Sequence, residues 1–187
     1  MPGMEIRPLE LAELRRAQEI DVTEDGTTVL VQTGRQVTAR PETWSRPPRS
    51  AEGWGAFEAR WRAFLPDQGA ALGAWEAGRL IGIATLRRGV RPGIDQLEAL
   101  FVDRAHRRRG VASALVAGIE HLAREGGARR LYVSATPSES AVGCYLSRGF
   151  QPTDEPLPEL FELEPEDIHL TLDLRAAGSP ATASPSE

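Results

Sequence analysis

The residues whose types and spacing carry the most chemistry run from Leu97 to Leu115: Leu-Glu-Ala-Leu-Phe-Val-Asp-Arg-Ala-His-Arg-Arg-Arg-Gly-Val-Ala-Ser-Ala-Leu. An apolar strand enters a basic turn, and Gly110 opens a helix. Free amides at a helix N-terminus, with the helix dipole, make such a junction an anion site. Gly110 and Ala112 are small enough for a pyrophosphate to approach the backbone closely. Arg107, Arg108 and Arg109 add positive charge around it. The same residues also read as a capped helix with a solvated arginine run. A nucleic-acid patch is a third reading, which the adjoining strand and helix suit poorly. A Walker phosphate loop is excluded because the chain contains no lysine, and a dinucleotide turn because its glycine pattern is missing.

Elements must hold these residues in place. Ile94–Val102 is the strand leading into the turn, and Val111–Glu125 is the helix leaving it, stopped by Gly126-Gly127. Before them, Ala70–Glu76 and Arg79–Arg88 flank Ala77-Gly78 as a hairpin. After them, Arg130–Thr136 is a strand with Leu131, Val133 and Ala135 alternating. Ser138–Arg148 is a helix with Ser138 as N-cap and Gly149 as C-cap glycine. Ile168–Leu174 puts Ile168, Leu170, Leu172 and Leu174 on one face. Nearer the start, Met4–Arg7 reads as a strand and Pro8–Ile20 as a helix with Leu11, Leu14 and Ile20 on its apolar side. Thr27–Gln32 and Arg35–Arg40 form a hairpin signal across Thr33-Gly34, and Pro41–Ser50 reads as a loop. Trp54, Phe57, Trp61, Phe64 and Leu65 mark one amphipathic helix. The order predicts an α+β fold, a mixed sheet with helices against it.

Composition narrows the function classes. At 187 residues the chain suits one domain, expected over residues 1–175, with an insertion at 21–53. The Ala/Ser/Pro/Gly-rich tail, 176–187, has nothing to bury and is expected to be disordered. The formal charge of −5 argues against a general nucleic-acid surface. No apolar run approaches the ~20 residues of a membrane span and no signal peptide is evident, so a cytoplasmic protein is expected. The single cysteine, Cys144, leaves no internal disulfide and no multi-cysteine metal site, and no metal is expected. All 22 basic residues are arginine, which removes lysine Schiff-base chemistry.

Arg107-x-x-Gly110-x-Ala112, after a strand ending Phe101-Val102, resembles the acetyl-CoA motif of the GNAT N-acetyltransferase superfamily, Gln/Arg-x-x-Gly-x-Gly/Ala. Downstream, Ser138-x-x-Ala141-x-x-Cys144-Tyr145-x-x-x-Gly149-Phe150 is similar to that family's Asn-x-x-Ala-x-x-Phe-Tyr-x-x-x-Gly-Phe helix. It departs in having Ser138 for Asn and Cys144 for Phe; the serine still caps a helix, with shorter reach. The resemblance covers residues 4–20 and 54–174 in outline. It implies a mixed, mostly antiparallel GNAT-like sheet of about six to seven strands with about four helices. It also implies direct transfer of an acetyl group from acetyl-CoA to an amine in a ternary complex. The cofactor-binding residues it implies are Phe101, Val102, Arg107, Arg108, Arg109, Gly110, Val111, Ala112, Ser113, Ser138 and Tyr145.

By the same resemblance, Tyr145 stands where the general acid protonates the leaving thiolate, and Val102 where backbone pairs with pantetheine. Glu98 is the candidate general base: it lies four residues before Val102, which puts both on one strand face. A salt-bridged glutamate is the competing reading. His106, in the phosphate turn, reads as structural, and Cys144 as packing rather than as an acetyl carrier.

Two segments exceed the minimal family fold, Asp21–Gly53 and Asp154–Asp167. The second carries Asp154, Glu155, Glu159, Glu162, Glu164, Glu166 and Asp167 with no base; with Asp21, Glu24 and Asp25 it suits a cationic amine, and equally a solvated acidic loop. On the first reading, loss of Glu159 and Glu162 weakens the acceptor. The acceptor is a primary amine of a small molecule or a peptide, and the chain a monomer or homodimer, with no nucleic-acid or membrane partner. The alternatives are a non-catalytic acyl-CoA-binding module and an interaction protein docking through an exposed helix bearing Trp54 and Trp61, residues that core packing explains equally.

Overall fold

The computed structural model describes residues 3–175; the tail read as disordered, 176–187, lies outside the described residues. The strands are β1 (Glu5–Pro8), β2 (Glu24–Thr33), β3 (Gln36–Arg46), β4 (Gly69–Glu76), β5 (Arg79–Arg91), β6 (Ile94–Val102), β7 (Arg130–Ala135), β8 (Gln151–Pro152) and β9 (Ile168–Asp173). The helices are α1 (Ala51–Gln68), α2 (Val111–Glu125), α3 (Glu139–Ser147) and α4 (Pro158–Leu163), with 3-10 segments at Leu11–Glu19 and Arg104–His106. One mixed sheet runs β1-β4-β5-β6-β7-β9-β8, while β2 and β3 form a hairpin of their own. The fold is α+β, and only β6 and β7 pair in parallel.

The central strand shows why helices cover both faces. Leu80 to Leu86 of β5 are all buried, the continuous apolar run of a strand with no wet side. Ile81, Ala84 and Leu86 pack under α2 with Leu115, Val116 and Ile119. Leu80 and Ile83 pack on the other face with Trp54, Trp61 and Phe64 of α1 and with Leu14 and Ala17 of the first 3-10 segment. Trp54 is 4% exposed and Trp61 0%, so both tryptophans belong to the core rather than to an exposed docking face. Among the described residues no helix is long and apolar enough to cross a membrane.

Three expectations change. The segment read as the helix Pro8–Ile20 is 3-10 over Leu11–Glu19, whose three-residue turn lines up Leu14, Ala17 and Ile20. Leu11 is exposed, and Leu9 takes the core place expected of it. Second, β3 runs on to Arg46 through the stretch read as a loop. Pro41 sits opposite Thr28 beside a register shift at Gly26/Thr28, where a two-stranded ribbon tolerates proline. Third, the acidic segment read as a loop contains the single short helix α4.

The pairing register opens the sheet. In parallel, β6 and β7 meet only over Ile94–Gln96 and Arg130–Tyr132. Beyond that, β6 stays with β5 as far as Val102 opposite Gly82, and β7 stays with β9 as far as Ala135 opposite Ile168. The two strands therefore diverge into a wedge at their C-terminal ends, and strand pairing leaves Leu97–Val102 without a partner on the β7 side.

Candidate active site

On the α2 side of the wedge lies a cavity of about 350 Å³. Gly110 is the N-cap of α2 with φ +81°, a conformation only glycine adopts without strain, and it offers no side-chain cap. The first-turn amides of Val111, Ala112 and Ser113 have no place in the helix ladder and face an opening that these residues line. Arg107 and Arg108 line it as well. Arg107 donates to the Val102 carbonyl at 3.4 Å and lies 3.8 Å from the Glu24 carboxylate. Arg109 is different: it is bound to Glu76 at 2.8 Å and does not line the cavity.

The turn is stiffened from behind. His106 makes hydrogen bonds to Asp103 (2.8 Å) and Glu76 (3.1 Å), the structural place expected of it. Burial opposes the charge on Asp103, yet the Asp21 amide, His106 and Arg79 together hold its carboxyl below the usual range.

Phe101, Val102, Cys144 and Tyr145 complete the same cavity. Tyr145 is nearly buried and packs on Phe150, ring centroids 5.4 Å apart. Burial pushes its hydroxyl above the ordinary phenol range, helped by the nearby Cys144 and Asp167, so it remains a proton donor. Burial likewise raises the Cys144 thiol, which keeps it from being a thiolate. Ser138 caps α3, accepting from the Ala141 amide at 3.3 Å, and lines the neighbouring cavity instead.

Glu98 does not share a face with Val102. A β-bulge puts Ala99 opposite Thr85 and Leu97 opposite Leu86, so Glu98 is the extra residue. Leu100 and Val102 pack toward α2, whereas the Glu98 carboxylate accepts from Trp61 Nε1 (2.9 Å) and Thr85 Oγ1 (2.8 Å) and pairs with Arg60 at 2.6 Å. It lines neither cavity.

The second cavity, about 660 Å³, lies between the β2–β3 hairpin and the segment leading into β9. Its wall includes the aromatic rings of Trp44 and Phe161 and the carboxylates of Glu42, Asp154, Glu166 and Asp167. Arg46 borders both cavities. Glu159 and Glu162 do not line it, and Glu159 is spent on Arg91 at 2.6 Å. One side chain fastens the hairpin at two points: Gln32 donates to the Thr153 carbonyl (2.8 Å) and accepts from the His169 amide (2.7 Å). Tyr132 donates to His169 Nδ1 at 2.5 Å and accepts from the Leu157 amide, which ties the acidic segment to the sheet. Burial lowers the His169 pKa and keeps the ring neutral.

The residues that sequence reasoning missed are Trp44 and Arg46, while Glu24, grouped there with the acids of the acceptor side, belongs to the other cavity. Glu24 lines the first cavity, where it meets Arg46 at 3.3 Å and accepts from Ser140 Oγ. No local signal marked Trp44, whose ring covers Gly26 across the hairpin, where a Cβ would meet the indole at 2.4 Å.

A family model described as "Acetyltransferase (GNAT) family" matches residues 35–150. No curated protein matches the chain by sequence. Among solved structures the fold is similar to nourseothricin acetyltransferase, with TM-score 0.70, 16% identity, and 91% of this chain and 98% of that one covered. It is similar to a candidate streptothricin acetyltransferase of Bacillus anthracis in complex with acetyl coenzyme A, with TM-score 0.67, 18% identity and coverage of 90% and 97%. It is also similar to the ribosomal-protein-S18-alanine N-acetyltransferase of Escherichia coli, with TM-score 0.62, 16% identity and coverage of 97% and 99%. At such identities these three likenesses are likenesses of fold.

Proposed function

The chain belongs to the GNAT acetyltransferase family, and from that premise we propose that it moves the acetyl group of acetyl-CoA to a primary amine of a small molecule or peptide by direct attack in a ternary complex. The observation that carries this reading is the meeting of two unlike cavities at the wedge, with Arg46 on the border of both. The first suits the donor. Its pyrophosphate is matched by the free amides of Val111–Ser113 and by Arg107 and Arg108. Its pantetheine arm is matched by the β6 backbone that β7 leaves unpaired. The second suits a cationic amine, through carboxylates and the faces of Trp44 and Phe161.

The chemistry follows from these assignments. The amine nitrogen attacks the thioester carbonyl, the C–S bond breaks, and the Tyr145 hydroxyl protonates the departing sulfur. A free phenol (~10) is a weaker acid than a free thiol (~8.5). The same burial that raises Tyr145 also raises the proton affinity of a thiolate forming beside it, so the two shift in the same direction. Glu98, committed to three donors, holds α1 against β6 in this reading.

Calorimetric titration with acetyl-CoA tests the assignment, with Gly110→Glu as the matched variant. Micromolar binding that the glutamate abolishes, followed by CoA release on adding amines, is the expected result. Binding without CoA release across an amine panel points to a non-catalytic acyl-CoA-binding module. A folded wild-type protein that binds no acetyl-CoA overturns the reading.

A further inference from the structure

A primary amine reaches neutral solution as an ammonium, and must lose a proton before its nitrogen can attack a carbonyl. With acetyl transfer at the wedge as the underlying reading, we propose that Asp167 is the catalytic carboxylate that takes this proton. Asp167 immediately precedes Ile168, which pairs with Ala135 at the open end of the wedge. Its carboxylate accepts from Ser134 Oγ of β7 at 3.2 Å and forms part of the wall of the larger cavity. Tyr145 lines the neighbouring cavity, and Arg46 borders both, so proton acceptor and proton donor belong to the two cavities that meet at the wedge.

Comparison with the other acids favours Asp167. Glu98 lines neither cavity. Glu24 is occupied by Arg46 and Ser140, Asp154 by Arg35 at 2.9 Å, and Glu42 by Arg40 at 2.6 Å. Glu166 is exposed. Asp167 alone among the carboxylates of the larger cavity is both partly buried and without an ion pair among the described residues, the other three being exposed.

The groups facing Asp167 are Ser134 from β7, Arg46 from β3, Glu164 from the end of α4, and Tyr145 from α3, with Glu166 and His169 on its own segment. Burial, and after it the Glu164 carboxylate, push Asp167 up to about 6, against the pull of Ser134 and Arg46. At neutral pH it is therefore ionised, yet closer in proton affinity to an amine than an ordinary aspartate at ~3.9.

The step balances. Asp167 takes one proton from R–NH3+, and the freed lone pair forms the N–C bond. The C–S pair leaves on sulfur, which takes the Tyr145 proton. The second nitrogen proton returns to Tyr145 by way of solvent, and Asp167 sheds its proton through the open cavity.

CoA release is measured from pH 5 to 9 with a panel of small primary amines headed by 1,5-diaminopentane, for wild type, Asp167→Asn, Asp167→Glu and Glu164→Gln, with acetyl-CoA affinity measured in parallel. The expected wild-type kcat/KM rises through about pH 6. Asp167→Asn loses that limb and falls at least a hundredfold with acetyl-CoA affinity unchanged. Asp167→Glu recovers part of the rate, and Glu164→Gln moves the limb to lower pH. An active wild type whose Asp167→Asn variant keeps both rate and limb overturns the role of Asp167 alone. A wild type that releases no CoA with any amine overturns the transfer reading and this role with it.

Discussion

The smaller cavity draws most of its wall from two short runs, Leu100–Ser113 and Ser140–Tyr145, whereas the larger is closed by the β2–β3 hairpin, Thr136–Ser138, Thr153–Pro156 and Phe161–His169. The first presents mainly main chain to its ligand: unpaired strand backbone and the free amides of a helix start. Such groups recognise an anion and an extended amide arm whatever else the chain does, and they ask of side chains chiefly that they be small. The second presents side chains, carboxylates and aromatic rings brought together by the Gln32 clasp and the Tyr132–His169 pair. In the proposed reading, one half of the site is fitted to a donor by geometry of the backbone, and the other to an acceptor by choice of residues.

After the loss expected of Asp167→Asn, the next largest effect breaks the donor half without touching binding. Tyr145→Phe keeps the ring packed on Phe150 and removes only the proton, so turnover falls at least tenfold while acetyl-CoA binds as before. Steady-state CoA release with parallel calorimetry measures both, and unchanged turnover would remove Tyr145 from the chemistry. A smaller effect probes the acceptor half. Glu42→Gln with Glu166→Gln removes two cavity carboxylates on exposed side chains. Exposed charges contribute modestly, so KM for a cationic amine rises about fivefold. The difference shrinks at high salt, and KM for acetyl-CoA stays put. Equal changes in both constants would mean that the halves are not separate.

The same contrast explains what could be read from the chain alone. The α2 bounds, the helix-start glycine, the Ser138 cap and the strands around them are legible because each depends on neighbours within a few residues. Glu98 was misplaced for a definite reason: counting by twos along a strand assumes an unbroken ladder, and the bulge opposite Thr85 and Leu86 turns Glu98 to α1. Arg109 is of the same type as Arg107 and Arg108, and only Glu76, far back in the chain, sets it apart. The larger cavity was hardest to see. Trp44 and Arg46 sat in a stretch whose Pro41 suggested a loop, and their strand exists only because Glu24–Thr28 lies opposite. The acidic segment was noticed by composition, yet composition could not tell Glu159, paired with Arg91, from Asp167.

The smallest expected effect sharpens the comparison in a currency other than rate. Asp167 holds its proton more tightly in the folded chain, at about 6, than an unfolded aspartate near 3.8. Protonation therefore favours the fold: the associated stability is fully present below pH ~4, is lost as the pH rises through about 6, and stays lost above it. The shift corresponds to about 3 kcal/mol at pH 7, and because Asp167 is only partly buried, solvent screening reduces the cost of its ionisation to the native state to about 2 kcal/mol. Asparagine retains an oxygen for the Ser134 hydroxyl and carries no charge, so Asp167→Asn melts higher than wild type at pH 7, by roughly 4–8 °C for a chain of this size. At pH 4 the two melt alike. A gain of equal size at both pH values would show that charge is not its source and that the carboxyl is not raised. A gain confined to neutral pH would mean that the acceptor half keeps an ionised carboxylate at the expense of stability, as a site chosen for its chemistry does.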